Sequence, residues 1–299
     1  MSKFNPYRQK EKIQEIRVNE KSKLMNFLLA NMGGTSRNKV KSLLRYRQVS
    51  INGRVTSQFD AELKPDDTVS INTTRGNTEL NHPLLSIIYE DEEFIVVNKK
   101  EGLLTVTVGT GRDITAFSIL KNYVKKQSPI NKIYTVHRID KFTSGLVLFS
   151  KNRDLQHLLR NNWHELVTLR SYVAVVEGEV EKKSGQIISW LTEHKVEQRA
   201  ISSPHDNGGK TAITNYRVIK TKNNYTLMEL ELVTGRKNQI RVHMEDIGHP
   251  IIGDRKYGPG EQFSRLALHA HKLEFTHPVS GKTMRFKSEI PKEFSRLFR

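Results

Sequence analysis

His137-Arg138-Ile139-Asp140-Lys141-Phe142-Thr143-Ser144-Gly145-Leu146-Val147 sets an arginine and an aspartate two positions apart, just ahead of a turn and an apolar run. In an extended backbone, side chains at i and i+2 leave the same face, so Arg138 and Asp140 are expected to point into one cleft. Thr143-Ser144-Gly145 breaks the chain, and Leu146-Val147-Leu148-Phe149 reads as a strand buried on both faces that would hold the loop rigidly. The segment is built to aim Asp140, and chemistry is expected there.

Outward from this stretch, residues 95–97, 146–149, 172–176, 212–218, 227–232 and 266–275 carry β-type residues or alternation. Leu155, Leu158, Leu159 and Trp163 mark a helix. Residues 239–247 mark another, which Gly248 can terminate ahead of Pro250. The pattern predicts an α+β domain with a mixed, mainly antiparallel sheet and helices set against it.

The N-terminal part reads differently. Residues 1–22 carry six Lys or Arg and three Glu with few apolar positions, which predicts a mobile basic arm. Leu24, Phe27 and Leu28 suit a short helix ending at Gly33-Gly34. Ser36 can cap a second helix in which Val40, Leu43 and Leu44 form the packed stripe and Arg37, Lys41 and Arg45 a basic face. On its own such a face is usually just solvated. Asn52-Gly53 is a strong turn signal between Val49-Ile51 and Val55, and the polar run 72–81 is a linker candidate. The expected layout is an arm at 1–22, a small module at 23–72, a linker at 73–84 and a large domain at 85–299.

The 49 Lys and Arg against 32 Asp and Glu give a net charge of +17 over 299 residues. An excess this large predicts a polyanionic partner, with nucleic acid ahead of membrane. No stretch approaches the roughly 20 apolar residues of a membrane span, and the start lacks the apolar core of a signal peptide, so a cytoplasmic location is expected. The absence of cysteine excludes disulfides, thiol nucleophiles and thiolate zinc sites. The 11 histidines are scattered, with no His-Glu-x-x-His pattern, and neither metal nor cofactor is expected.

The block His137–Gly145 resembles the His-Arg-Leu-Asp, two residues, Thr-Ser-Gly motif of the RluA/RluD-like family of RNA pseudouridine synthases. The resemblance extends in order through 88–102, Tyr172-Val-Ala-Val-Val-Glu-Gly178, 234–243, Gly248-His-Pro-Ile-Ile-Gly-Asp254, 266–270 and 275–278. Lys100 stands where the family usually has proline. Asn238 stands where it has histidine, and is expected to alter local hydrogen bonding without abolishing activity, because asparagine still donates and accepts. The two N-terminal helices and hairpin are similar to the alpha-L RNA-binding module often fused to these enzymes, although Arg47 and Asp66 occupy positions where glycine is common.

That resemblance implies an isomerase that breaks the uridine N1–C1′ bond, turns the uracil and rejoins it through C5, with Asp140 as the essential carboxylate. Asp140 would attack the ribose or the base, or remove a proton. A carboxylate in a dry pocket stays ionised only beside a cation. By resemblance this is Arg241, the alternative for Arg241 being a bridge to Glu245 worth about 0.2–0.5 kcal/mol. Tyr172 would stack on the flipped uracil and assist at C5; as an isolated tyrosine in an apolar strand it would be core packing. Arg138 would fill the space left by the extruded nucleotide or hold a phosphate. Arg236 would hold phosphate or support its loop, and Arg37, Lys41 and Arg45 would contact RNA. His249 and His269 are assigned structural roles. Large-subunit ribosomal RNA is the favoured substrate and transfer RNA the other, with the protein a monomer.

A rival reading is an inactive RNA-binding chaperone or ribosome assembly factor. Another, a ribosome-associated rescue protein, leaves about two-thirds of the chain unexplained. Each phosphate neutralised releases counterions, so RNA affinity is expected to fall steeply between about 50 and 200 mM salt in filter-binding assays.

Overall fold

The computed structural model describes residues 13–45, 48–72, 80–107, 113–194, 199–260 and 263–299. The chain divides into two compact units, Met1–Leu80 with Lys121–Lys132, and Asn81–Leu120 with Ile133–Arg299.

In the first unit the chain runs β1 (Ile13–Arg17), β2 (Ser22–Lys23), α1 (Leu24–Asn31), α2 (Arg37–Arg45), β3 (Val49–Ile51), β4 (Arg54–Val55), β5 (Glu62–Leu63) and β6 (Thr68–Asn72). One sheet has the order β1-β6-β3-β4, and β2 pairs with β5. Leu24, Leu28, Val40, Leu44, Val69 and Ile71 meet in its core. The amphipathic reading of α2 holds: Val40, Leu43 and Leu44 are buried while Arg37 and Lys41 are exposed, and the Ser36 hydroxyl accepts from the Lys39 amide at 3.3 Å. The Arg45 side chain and Arg47 lie outside the described residues.

The arm expected over residues 1–22 is corrected in its second half. Ile13–Arg17 is a strand paired with β6 in unbroken antiparallel register from Ile13↔Asn72 to Arg17↔Thr68. Its side chains are mostly exposed, so the strand rests on backbone pairing and leaves little apolar signal. Residues 1–12 lie outside the described residues. Asn52 and Gly53 turn β3 into β4 with φ of 49° and 77°, the left-handed pair of a tight hairpin.

The chain continues through β7 (Leu85–Glu90), β8 (Phe94–Lys99), α3 (Ala116–Gln127), β9 (Tyr134–Thr135), β10 (Ser144–Ser150), α4 (Arg153–Asn161), α5 (Trp163–Leu166), β11 (Leu169–Glu177), β12 (Ser184–His194), β13 (Arg199–Ser203), β14 (Lys210–Lys222), β15 (Tyr225–Leu232), α6 (Gln239–Asp246), β16 (Leu268–Thr276), β17 (Thr283–Lys287) and α7 (Lys292–Arg296). The second unit carries a large sheet of order β13-β12-β14-β15-β11-β16-β10-β8-β7, with β17 on β16 and β9 on β10. Among the described strands, β10 with β16 is the one parallel pairing, which makes the sheet mixed and mainly antiparallel as expected.

All seven residues of β10 are buried. At its start Gly145 has φ of +114°, and a Cβ there would lie 2.2 Å from the Ala270 carbonyl oxygen, so only glycine lets β10 and β16 approach. The single helix expected through Trp163 is instead two. Asn162 closes α4 by donating from its side-chain amide to the Leu158 carbonyl at 3.0 Å, and α5 restarts at Trp163.

Two buried histidines tie strands together. His243 lies between the Ser189 and Thr214 hydroxyls at 3.0 and 2.9 Å. His269 lies between those of Ser144 and Ser288 at 2.8 and 3.1 Å. Burial pushes them down to about 4 and about 3, respectively. Unfolding frees both to take up protons near pH 6.5, so the stability they contribute is full above that pH and is lost as pH falls toward 4. Denaturant unfolding is therefore expected to lose about 2 kcal/mol per histidine between pH 7 and pH 5. An unchanged midpoint would contradict neutral burial.

Candidate active site

Asp140 ends an extended segment between β9 and β10 that is gripped on both sides. The Thr105 hydroxyl donates to the Ile139 carbonyl at 2.8 Å and accepts from the Ile139 amide at 3.3 Å. The fully buried Lys99 ammonium donates to the carbonyls of Lys141, Leu103 and Lys100 at 3.2, 2.8 and 3.0 Å. Burial pushes Lys99 down to about 7, against the pull of Asp140 and Glu101. The Gly102 amide donates to the Lys141 carbonyl at 2.9 Å, and the Thr143 amide to the Asp140 carbonyl at 3.2 Å. His137 Nε2 accepts from the Leu148 amide at 3.0 Å, as its neutral form requires; burial pushes it down to about 3.

Arg138 and Asp140 open onto one cavity of about 330 Å³, as the two-residue spacing predicts. Tyr172, Arg236 and Arg241 line the same cavity, so the candidates drawn from three separate stretches come together. Arg138 and Arg236 are exposed, Asp140 is half-buried, and Tyr172 is 8% exposed. Burial, with Asp140 adding to it, pushes the Tyr172 phenol up to about 12.

Arg241 sits in the first turn of α6 and reaches two carboxylates. Its Nε and Nη2 donate to Oδ2 and Oδ1 of Asp254, each at 2.7 Å, while Nη1 stands 3.5 Å from Asp140 Oδ2. Burial opposes its charge, but Asp254 outweighs burial and holds the guanidinium above its ordinary value. The alternative bridge to Glu245 does not form; Glu245 pairs with Arg199 on β13. Asn238 precedes α6 with φ of 56°, a left-handed conformation that asparagine tolerates. It donates to the Tyr257 hydroxyl at 3.1 Å and accepts from Arg241 Nη1 at 3.2 Å, so it both donates and accepts as expected. At the other departure, the Lys100 amide donates to the Leu84 carbonyl at 2.9 Å, a bond proline cannot make.

Arg236 donates from Nε to the Thr211 carbonyl at 3.0 Å, and its amide donates to the Gln239 side chain, which fits loop support. His249 donates from Nδ1 to the Glu177 carbonyl at 2.8 Å. Two lining or supporting residues escaped the sequence reading. Arg170 holds the carbonyls of Leu232, Val233 and Thr234 from Nη2 and lies over the Trp163 ring. It precedes Tyr172 by two positions on a strand, so the rule that paired Arg138 with Asp140 would have found it. The other is Asp254, whose pairing with Arg241 no local sequence pattern marks.

The cavity thus offers a carboxylate, a phenol and a guanidinium around a space sized for a nucleoside. The family model for RNA pseudouridylate synthase matches residues 93–246, a stretch that holds Asp140, Tyr172 and Arg241. The chain belongs to the RNA pseudouridine synthases. The synthase is 34% identical to the RNA pseudouridine synthase YlyB of Bacillus subtilis, over 91% of each chain. It is 33% identical to the ribosomal large subunit pseudouridine synthase D of Zymomonas mobilis, over 88% of this chain and 89% of that one. Its fold matches human RNA pseudouridylate synthase domain containing 4 with a TM-score of 0.59 at 20% identity, over 71% of this chain and 91% of that one.

In the synthase, Thr105→Val removes both hydrogen bonds to Ile139. It is expected to slow pseudouridine formation about tenfold through misplacement of the loop, at a stability cost of about 1–2 kcal/mol. Thr105→Ser should restore the rate. Initial rates of the three proteins, with their unfolding midpoints, provide the check.

Proposed function

We propose that Asp140 is the essential carboxylate of this synthase, serving cleavage of N1–C1′ in a flipped uridine. C5 then joins C1′, the C5 proton leaves, and N1 gains one, so no redox change or energy source is needed. The observation that supports this most directly is that Asp140 opens onto the cavity beside Tyr172, with Arg241 Nη1 at 3.5 Å. Tyr172 stacks on the detached uracil and its hydroxyl assists proton removal at C5. Arg138, exposed at the same cavity, occupies the space the nucleotide leaves. Arg236 supports its loop and meets phosphate.

Residues 85–299 act as the catalytic domain and residues 13–72, with the strand Ile13–Arg17 in their sheet, as an alpha-L module. The two-faced helix α2 favours RNA contact by the module through Arg37, Lys41 and Arg45. Asp66, with φ of 75°, takes the left-handed conformation that explains why glycine is common at that position in such modules. The substrate is large-subunit ribosomal RNA, as the names of relatives at about 30% identity suggest, and the protein works as a monomer in the cytoplasm.

Wild type and Asp140→Asn are to be incubated with unmodified ribosomal and transfer RNA and pseudouridine mapped by carbodiimide stops. New sites in ribosomal RNA with wild type alone are expected. Sites formed equally by both proteins would reject Asp140, and sites confined to transfer RNA would reject the substrate.

A further inference from the structure

We propose that Asp254 is a positioning residue: it anchors Arg241 by one edge so that Arg241 orients Asp140 through a single nitrogen without neutralising it. The inference rests on the reading of Asp140 as the essential carboxylate.

A guanidinium presents five N–H donors in a rigid plane, so fixing one edge fixes the direction of the rest. Asp254 takes the Nε and Nη2 edge with two 2.7 Å bonds. Nη1 is thereby delivered toward Asp140 Oδ2 at 3.5 Å and Asn238 Oδ1 at 3.2 Å. Asp254 is itself immobilised: its side chain is fully buried, and Oδ1 accepts from the amides of Lys256 and Tyr257 at 2.9 and 3.1 Å. The preceding Gly253 has φ of +73°, and a Cβ there would lie 2.0 Å from the Arg265 carbonyl oxygen, so the turn that presents Asp254 is fixed by its backbone. The Tyr257 ring, 5.0 Å from the guanidinium carbon, adds a third support.

The charges explain why this matters. Asp254 and Arg241 form a close pair that is nearly neutral, and the longer contact leaves the Asp140 carboxylate open to substrate. A tight two-bond pair between Arg241 and Asp140 would instead occupy the oxygens that the reaction needs. Asp140 also feels Lys99 from β8, Tyr172 from β11 and Lys256 from the turn after Asp254. None of these holds the guanidinium in place. Removing the Asp254 charge frees the Nε and Nη2 edge of Arg241, so that Nη1 is no longer aimed at Asp140.

The experiment uses the full chain and RNA bearing a tritium at uridine C5, following release of the label. For Asp254→Asn, kcat is expected to fall about tenfold or more, with KM for RNA within about twofold. Wild-type kcat would overturn the proposal, and so would a rise in KM as large as the fall in kcat, which marks a merely structural role. If Asp254→Asn does not fold, Asp254→Glu carries the test: it keeps the charge but displaces the guanidinium, and a kcat within about twofold of wild type overturns the proposal. Asp140→Asn runs alongside. Residual turnover there rejects the underlying reading, whereas a dead Asp140→Asn beside a fully active Asp254→Asn rejects only the role of Asp254.

Discussion

The close approach of β10 to β16 is the constraint on which the catalytic unit depends. These strands run parallel and meet at Ser144↔His269 and Gly145↔Ala270, where a Cβ on Gly145 would collide with backbone. On one side of that seam lie β8 and β7; on the other lie β11, β15, β14, β12 and β13. The seam therefore joins the half of the sheet that carries the Asp140 loop to the half that carries Tyr172 and packs against α6. Ser144 reinforces it, taking a 2.6 Å bond from Arg265 and sharing another with His269. A side chain at Gly145 would separate Asp140 from Tyr172 and Arg241, which line one cavity.

Around this seam the protein solves a charge problem. Arg170 and Arg241 are largely buried, where an uncompensated cation is costly. Arg170 is satisfied by three main-chain carbonyls and an aromatic face, and Arg241 by Asp254, Asn238 and the Tyr257 ring. Both guanidiniums are thus held before any substrate arrives. Their positive potential is kept in the cavity that both line.

How much of this the sequence discloses follows from what each residue's neighbours are. β10 was legible because four apolar residues in a row have few alternatives to a doubly buried strand. The Asn52-Gly53 hairpin was legible because few residue pairs accept two left-handed conformations. β12 and β13 were not, because one face of this hairpin is open: Ile188 and Ile201 are 50% and 43% exposed, so the apolar residues do not mark the inner face. β1 was hidden because its bonds are to backbone. Among the site residues, those in motifs were visible, and the i, i+2 rule correctly joined Arg138 to Asp140. Asp254 was not visible, because its role arises from a contact between the turn it occupies and a helix thirteen residues earlier. Likewise the alternative bridge from Arg241 to Glu245, which helix spacing alone would allow, does not form, because a neighbouring strand supplies Arg199 to Glu245.

Lys99 shows how closely support and chemistry are coupled. Burial pushes it down to about 7 even against the pull of Asp140 and Glu101. Yet its nitrogen faces three carbonyl oxygens at 2.8 to 3.2 Å, and only an ammonium has three protons to give them. A neutral amine has two, so one carbonyl would face a lone pair instead of a donor. One of the three carbonyls belongs to Lys141, the residue after Asp140, and Asp140 also attracts the ammonium. The three carbonyls favour the charged form, and the ammonium in turn holds the loop that carries Asp140.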